Sequence, residues 1–458
     1  MNDLTVGKPL QQIVKFAIPM MIGNLVQQFY NIVDAVIVGR VVGSEGLAAV
    51  SGSFTLMVFL TSIIIGLTMG AGVIYAQYFG AKDIQKLKQA IGIGSISILI
   101  ITIILEVMSL CGLQWILKCM QIPVYIEGMT KDYLAIILGG MIFVFLYNTM
   151  SCILRAVGDS RTPLYFLILS AVLNIVLDLV FTMELGLGVA GAAIATVIAQ
   201  GVSALCCMVY GYKKLSFLRF KLHDLKWDCE IFKQTAQYAI LTSVQQSIMN
   251  FGILMVQGLV NSFGVTAMAA FGVVNKIDAF AYMPVQDFGN AFSTYVAQNK
   301  GAGKEDRIKE GVRYAVRLII VFCIIISTIV LMKGRALIGI FVKQEEVLII
   351  ETGLGYLRIV APYYMLIGFL FMYYGYYRGI GQASMSIVLT IISLGTRVIL
   401  AYGLATLPNI GLKGIWWAIP IGWALADCVG FWKRNNKWEL PSSGRSRSTK
   451  SDELRESE

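Results

Sequence analysis

The chain has 458 residues, of which 57% are hydrophobic and only 14% are charged, and its formal net charge is +10. Soluble domains carry roughly 25% charged residues, so this composition excludes a soluble enzyme and a nucleic-acid-binding domain. Stretches without Asp, Glu, Lys or Arg cover residues 46–81, 133–154, 185–212 and 234–275. A membrane-spanning helix needs about 20 mostly apolar residues, so each stretch is long enough to cross a bilayer.

Apolar windows bounded by charge, Gly or Pro predict twelve membrane helices. Their predicted limits are residues 15–38, 48–76, 91–113, 132–154, 163–183, 189–211, 236–258, 267–297, 314–332, 350–376, 384–406 and 412–432. We therefore predict an all-α integral membrane protein with an N-terminal six-helix lobe (1–212) and a C-terminal six-helix lobe (236–432). Residues 213–235 are predicted to form a cytoplasmic linker, and the Ser- and Arg-rich residues 433–458 a disordered cytoplasmic tail.

The loops on the two sides of the predicted membrane differ in their content of basic residues. One side receives 27 of the 37 Lys and Arg residues and the other side receives seven. The remaining three, Lys276, Arg358 and Arg397, fall within predicted helices. Loops rich in Lys and Arg stay in the cytoplasm, so we predict a plasma-membrane protein with both termini cytoplasmic.

The chain contains two copies of one six-helix unit. The heptapeptide at 43–49 recurs in related form at 264–270, and Ala-Gln and Gly-Ala pairs recur at the same offset of 221 residues. Because an even number of helices separates corresponding points, both copies cross the membrane in the same direction, and a pseudo-twofold axis along the membrane normal should relate the two bundles. Two facing bundles are typical of a transporter with a cavity between them. A duplicated membrane scaffold is the alternative.

Four polar residues of the first span lie on one helix face. They are Asn24, Gln27, Asn31 and Asp34, at spacings of three, four and three residues. Amides alone would fit a polar surface that joins packed helices. A carboxylate inside a span is costly and usually functional, so Asp34 favours a stripe that lines a functional cavity.

Three further polar residues are expected at the depth of Asp34. Asn174 and Asp178 are one turn apart in the fifth span, and Thr196 lies in the sixth span, roughly 10 Å below its outer end at ~1.5 Å per residue. Two carboxylates, an amide and a hydroxyl are hard oxygen donors. They could bind Na⁺ or share protons, and a structural hydrogen-bond network is the alternative.

The second copy does not repeat these oxygen donors. The matching positions are occupied by Met255, Arg397, Ala401 and Ile419. None of these residues is acidic and one is cationic, so we expect the cation site in the first lobe only. Lys276 and Asp278, close together in the eighth span, are expected to neutralise charge locally.

Features of an enzyme are missing from the sequence. No nucleophile–base pair stands out, and the single histidine, His223, lies in the predicted linker. We expect no catalytic residues, no cofactor, no metal beyond a possible Na⁺ at the cation site and no nucleic-acid partner. The expected state is a monomer surrounded by membrane lipids.

Several motifs resemble those of the multidrug and toxic compound extrusion (MATE) transporters. The first span contains Pro19 and the sequence Asn-Ile-Val-Asp at 31–34, and Gly-Leu-Ala-Ala follows at 46–49. With the paired Ala-Gln and Gly-Ala motifs, the resemblance covers about residues 10–432. It implies two six-helix lobes that export organic cations and drugs by alternating access, driven by an H⁺ or Na⁺ gradient.

The DinF-like branch of this family shows the strongest resemblance. It implies a first-lobe cation site formed by Asp34, Asn174, Asp178 and Thr196, and a proline at which the first helix bends, here Pro19. The NorM-like branch has acidic residues in helices 7 and 10, and this chain has only a peripheral Glu351 in helix 10.

An alternative function is that of a flippase for lipid-linked sugars, in the same superfamily. A flippase should carry more basic residues in its cavity to bind pyrophosphate. The three basic residues within predicted helices are few for that task, so the cation-coupled drug antiporter is the favoured interpretation.

Overall fold

The computed structural model describes residues 3–120, 122–219, 227–407 and 410–435, and these parts of the chain are helical with short connections. Residues 220–226, which include His223, and residues 436–458 of the predicted tail lie outside the described residues. The α-helices are α1 (Pro9–Val41), α2 (Ser44–Gly80), α3 (Ile84–Cys111), α4 (Leu113–Cys119), α5 (Val124–Gly139), α6 (Met141–Ala156), α7 (Arg161–Asp178), α8 (Gly188–Lys214), α9 (Cys229–Asn261), α10 (Val265–Gly301), α11 (Glu305–Gly339), α12 (Val347–Val360), α13 (Tyr364–Gly379), α14 (Ala383–Ala405) and α15 (Leu412–Asn435).

These elements form twelve membrane helices in two six-helix bundles, so the predicted fold class is confirmed. Among the described residues, nine helical segments are long and apolar enough to cross a membrane, and α5 with α6 adds a bent tenth. The long helices α1 and α10 complete the set, although their polar residues keep them outside that apolar group. The fold therefore places its two most polar spans among ten apolar ones.

The fourth and fifth spans are less regular than the sequence predicted. The chain bends by 41° between α5 and α6, where Gly139 and Gly140 adjoin, because residues without a side chain weaken a helix and allow a kink. In the fifth span, α7 ends at Asp178 and continues as a π-helical turn over Leu179–Glu184. π-helical turns are rare and are frequent at functional sites.

The helices α1 and α9, which are counterparts in the repeat, each pack into the opposite bundle at one end. Ile13 and Phe16 of α1 lie in the hydrophobic core formed mainly by α10–α15. Ile231 and Ala239 of α9 lie in the core formed mainly by α2–α6. This exchange occurs at the end of the molecule where α1 and α9 begin and α2 and α10 end. We call it the basic end, because its loops carry most of the Lys and Arg residues.

The two polar spans contact each other between the bundles. Gln28 Nε2 of α1 donates a hydrogen bond of 2.9 Å to Met283 Sδ of α10. Polar groups in a membrane avoid lipid, and Gln28 makes its hydrogen bond where α1 meets α10. This arrangement positions a polar surface beside the first bundle.

Candidate cation site in the first bundle

The predicted donors Asn174 and Thr196 meet between α7 and α8. Asn174 Nδ2 donates a hydrogen bond of 3.2 Å to Thr196 Oγ1. Asp178, one turn after Asn174, is completely buried, and Asn174 is only 2% exposed. The two helices run in opposite directions, so residues distant from each other in sequence reach the same depth, as the sequence predicted.

Asp34 brings a second carboxyl group from α1 to this place. Asp34 and Asp178 lie close enough for their carboxyl groups to interact. Two carboxylates this close cannot both be ionised cheaply, because like charges repel strongly away from water. The pair therefore favours a shared proton or a bound cation.

Oxygen atoms at this site have no hydrogen-bond partner within the described parts of the chain. They are Asp34 Oδ1, Asn174 Oδ1 and both carboxyl oxygens of Asp178, all of them buried. Buried polar atoms are nearly always hydrogen-bonded, and an unpaired one costs free energy. Four such oxygens in one cluster form a donor set suited to a proton or a hard cation.

A further buried oxygen was missed by the sequence analysis. Thr182 lies four residues after Asp178 in the π-helical turn, and its Oγ1 is also buried without a partner among the described residues. The spacing from Asp178 was a usable signal, since residues four apart share a helix face. Within the described residues, no group of three or more His, Cys, Asp or Glu side chains could hold a metal ion.

A small apolar cluster, which includes Tyr133, lies near the carboxyl pair. Val38, Tyr133, Val189, Ala192 and Ala193 form a small buried cluster contributed by α1, α5 and α8. Tyr133 lies within electrostatic range of both carboxyl groups. Because this surrounding has a low dielectric constant, it strengthens every charge interaction within the site.

The four residues of the predicted polar stripe of α1 have different surroundings. Asn24 lies near Asp287 on α10, a carboxylate to which the sequence assigned no role. Gln27 is exposed and lies within hydrogen-bond range of Tyr30. Asp34 alone among the four stripe residues joins the carboxyl pair, while Asn31 is half-buried. The stripe therefore extends from the contact with α10 to the cation site.

Pro19 is buried within α1, which continues as a helix on both sides of it. Ala17, just before it, packs in the core of the second bundle. A Cβ built on Gly23, one turn after Pro19, would lie 3.4 Å from a methyl carbon of Leu167 on α7. Pro19 thus lies where α1 passes from one bundle to the other, and bending there stays a prediction.

The corresponding region of the second bundle has a different chemistry. Asp278 accepts hydrogen bonds from the hydroxyl groups of Tyr356 and Tyr364, both 2.5 Å long, and Arg397 lies within electrostatic range. Lys276 lies instead over the ring of Phe341, 5.4 Å from its centre. Lys276 therefore contacts the ring of Phe341 and Asp278 lies near Arg397, because residues two positions apart on a helix point in different directions.

The duplicated bundles and the polar surface between them define a membrane transporter and not an enzyme. The MatE family profile matches residues 19–180 and 239–403, one stretch in each half of the chain. The chain therefore belongs to the MatE family of multidrug and toxic compound extrusion transporters. Its similarity to the DinF-like branch in particular stays a prediction.

Individual relatives match nearly the whole chain. The probable multidrug resistance protein YpnP of Bacillus subtilis is 29% identical and covers 95% of this chain and 97% of its own length. The probable multidrug resistance protein NorM of Thermotoga maritima is 26% identical, with 89% and 88% covered. A solved outward-facing structure of a multidrug resistance MATE family transporter is 26% identical and superimposes with a TM-score of 0.89, with 94% and 97% covered.

Proposed function

We propose that this chain is a multidrug exporter that couples the efflux of organic cations and drugs to the entry of H⁺ or Na⁺. Relatives named as multidrug resistance and multidrug export proteins support export of drugs. The observation that carries the coupling is the pair Asp34 and Asp178, buried with unpaired oxygens beside Asn174 and Thr196.

The orientation follows from the basic end. Most Lys and Arg residues belong to its loops, so this end faces the cytoplasm of a cell whose plasma membrane holds the protein. The two lobes, residues 1–212 and 236–432, would then open alternately to the two sides while the protein acts as a monomer among membrane lipids. Small molecules would bind beside the polar residues where α1 and α10 contact each other.

Competition between ion and drug gives the exchange its direction. A proton or Na⁺ on the carboxyl pair neutralises charge that would otherwise attract a cationic drug. If α1 also bends at Pro19 when the site fills, its polar residues move and the cavity changes shape. Each ligand thereby weakens the binding of the other, and this coupling is reciprocal by thermodynamic necessity.

Equilibrium binding of a fluorescent organic cation such as ethidium to the purified protein tests this proposal. We expect its affinity to fall as Na⁺ rises to about 200 mM or as the pH falls from about 8 to 5.5, with KCl at equal ionic strength to separate screening from specific binding. Asp34→Asn should flatten the dependence. An affinity that is constant across both ranges in the wild type would refute the mechanism.

Efflux measurements identify the ion. Everted membrane vesicles given a Na⁺ gradient and a pH gradient separately should take up ethidium into their lumen in response to only one of them. A response to neither gradient would argue against ion coupling.

A further inference from the structure

The two bundles meet at the basic end through the last turns of α2 and α10. A Cβ added to Gly80 would collide with the carbonyl group of Gln298, and one added to Gly301 with that of Gln77. The two helix ends thus approach each other backbone to backbone, which glycine alone permits at these positions. We call this contact, formed by Gln77, Gly80, Gln298 and Gly301, the basic-end gate.

The two glutamines of the gate form matching hydrogen bonds across the bundles. Gln77 Nε2 of α2 donates to the carbonyl oxygen of Gly379 at the end of α13, 3.0 Å away. Gln298 Nε2 of α10 donates to the carbonyl oxygen of Ala156 at the end of α6, 2.7 Å away. Each glutamine binds a carbonyl group at a helix end, where no intrahelical donor is available. The gate is therefore symmetric in these bonds.

The segment Asp3–Gly7, which precedes α1, breaks that symmetry. The backbone N–H of Leu4 donates a hydrogen bond of 3.0 Å to Gln298 Oε1, so Gln298 holds this segment and Ala156 at once. Leu4 is 1% exposed and belongs to the hydrophobic core of the second bundle, and Thr5 is 4% exposed. The adjacent Val6, in contrast, is 57% exposed.

Three side chains at the end of α10 and the start of α11 hold the segment by its carbonyl groups. Asn299 Nδ2 and Arg307 Nη2 both donate to the Leu4 carbonyl oxygen, at 3.3 and 3.2 Å. Lys304 Nζ donates to the Thr5 carbonyl oxygen at 2.9 Å, and Arg307 Nη1 to that of Gly7 at 2.9 Å. A short turn with this many specific bonds occupies a fitted place.

We propose that the segment Asp3–Gly7 is a latch that holds the basic-end gate closed by orienting Gln298. While Leu4 occupies Oε1 of Gln298, the amide is fixed with its Nε2 toward Ala156, and the bundles cannot separate without losing the bond from Gln298 to Ala156. Gln77 has the same bond across the gate, and within the described residues no backbone N–H donates to its side chain. Opening toward the basic end breaks the bond from Gln298 to Ala156, and release of the latch lets Gln298 rotate away from Ala156.

Distances between nitroxide spin labels at two exposed positions of the basic end, Lys86→Cys on α3 and Asp306→Cys on α11, test this proposal. The background is the chain with its eight native cysteines replaced. We expect Leu4→Ala to raise the population with a long inter-label distance about tenfold, which corresponds to ~1.4 kcal/mol. Val6→Ala, at the neighbouring exposed position, should leave the distance distribution unchanged.

A double-mutant cycle separates a latch that acts through Gln298 from general loosening. Gln298→Ala should open the gate more than Gln77→Ala, and Leu4→Ala should add little in the Gln298→Ala background. Should Leu4→Ala prevent folding, Arg307→Ala with Lys309→Ala as its exposed control serves the same purpose. An unchanged distribution in Leu4→Ala, an equal effect of Val6→Ala, or full additivity with Gln298→Ala would overturn the latch.

The latch rests on the proposed alternating access of the two lobes but not on the coupling ion. The distance measurement needs neither drug nor ion gradient. A failure of Asp34→Asn to change ion dependence would leave the expected distances intact, so the two proposals fail separately.

Discussion

The two bundles are copies of one repeated unit, yet Asp34 and Asp178 of the first bundle and Asp278 of the second have opposite surroundings. In the first bundle, Asp34 and Asp178 face each other and keep oxygen atoms without hydrogen-bond partners among the described residues. In the second bundle, Asp278 has two tyrosine hydroxyl groups as donors and a guanidinium group nearby. An unpaired buried oxygen lowers stability, whereas a fully paired carboxylate supports it. The comparison shows that the two copies differ in how these carboxylates are partnered, with unpaired oxygens in the first and a hydrogen-bonded network around Asp278 in the second.

A single replacement illustrates the divergence. Arg397 occupies the position of the second copy that corresponds to Asn174 of the first. A guanidinium group has only donors and a fixed positive charge, so a cation cannot bind where it lies. Asp278 lies on α10, which is the counterpart of α2 in the repeat and not of α1 or α7, which carry Asp34 and Asp178.

The largest expected effect is on coupled efflux. Asp178→Asn should abolish ion-driven efflux of ethidium, because the amide cannot exchange a proton or offer a charge to Na⁺. Asp278→Asn in the second bundle should retain the ion dependence. Ethidium transport into everted vesicles is measured for both variants under each gradient. A lost ion–drug coupling corresponds to about a 5- to 150-fold change in drug affinity.

The comparison of Asp178→Asn with Asp278→Asn controls for loss of the protein from the membrane. Both variants must be present in the membrane at wild-type amounts, as an immunoblot would show. Wild-type efflux in Asp178→Asn, or equal loss in the two variants, would remove the functional distinction between the bundles.

For the free energy of unfolding, we expect replacement of Asp278 to have a larger effect than replacement of Asp178. Asp278→Leu leaves the hydroxyl groups of Tyr356 and Tyr364 without their acceptor, at a cost of about 1–3 kcal/mol each. Asp178→Leu removes a carboxyl group whose oxygens accept no hydrogen bond from the described residues, and it should leave the free energy of unfolding unchanged or raise it. Apparent Tm values in detergent, in Na⁺-free buffer, measure the difference. A larger loss for Asp178→Leu would reverse our interpretation of the two sites.

Equivalent substitutions in the two bundles should have similar effects at the basic-end gate, whereas substitutions of their carboxylates should not. Gly80→Ala and Gly301→Ala each place a methyl group against a backbone carbonyl of the other bundle, and such overpacking costs about 1–3 kcal/mol. Both should raise the long-distance population of the spin labels to a similar extent. Gly272→Ala, elsewhere on α10 with nothing within 4 Å of the added carbon, is the control. A one-sided effect would show that the gate is asymmetric beyond its latch.

The smallest expected effect concerns the pH dependence of the latch. Partial burial works against ionisation of Asp3, but hydrogen bonds from Thr5 and the charges of Lys304 and Lys82 keep its pKa below the usual 3.8. Because docking of the segment lowers the pKa of Asp3, docking is stabilised at pH values above the ordinary pKa of this group. That stabilisation is lost only as the pH falls through the lowered pKa. Between about pH 5.5 and 8 the distance distribution of an Asp34→Asn, Asp178→Asn variant should therefore be constant. A pH-dependent opening in this variant would point to another titrating group at the gate.

Much of the candidate site could be predicted because it depends on local spacing and on depth. The convergence of Asn174 with Thr196 followed from counting residues along two antiparallel spans. The π-helical turn after Asp178 could not be predicted, because a shift from four-residue to five-residue hydrogen bonding leaves no clear periodicity in six residues. Asp287 remained unassigned because its partner, Asn24, lies on another span and in the other half of the chain.

The sequence by itself determined the membrane class, the duplication and the confinement of paired carboxylates to the first copy, because composition, repeat offset and residue identity require no knowledge of packing. Only the tertiary structure decided that α1 and α9 exchange bundles at the basic end, that Asp278 is held by two tyrosines, and that Leu4 binds Gln298. Each of these contacts joins residues far apart in the chain. Which distant groups meet depends on how whole helices pack against one another, and helix periodicity specifies the faces but not the partners.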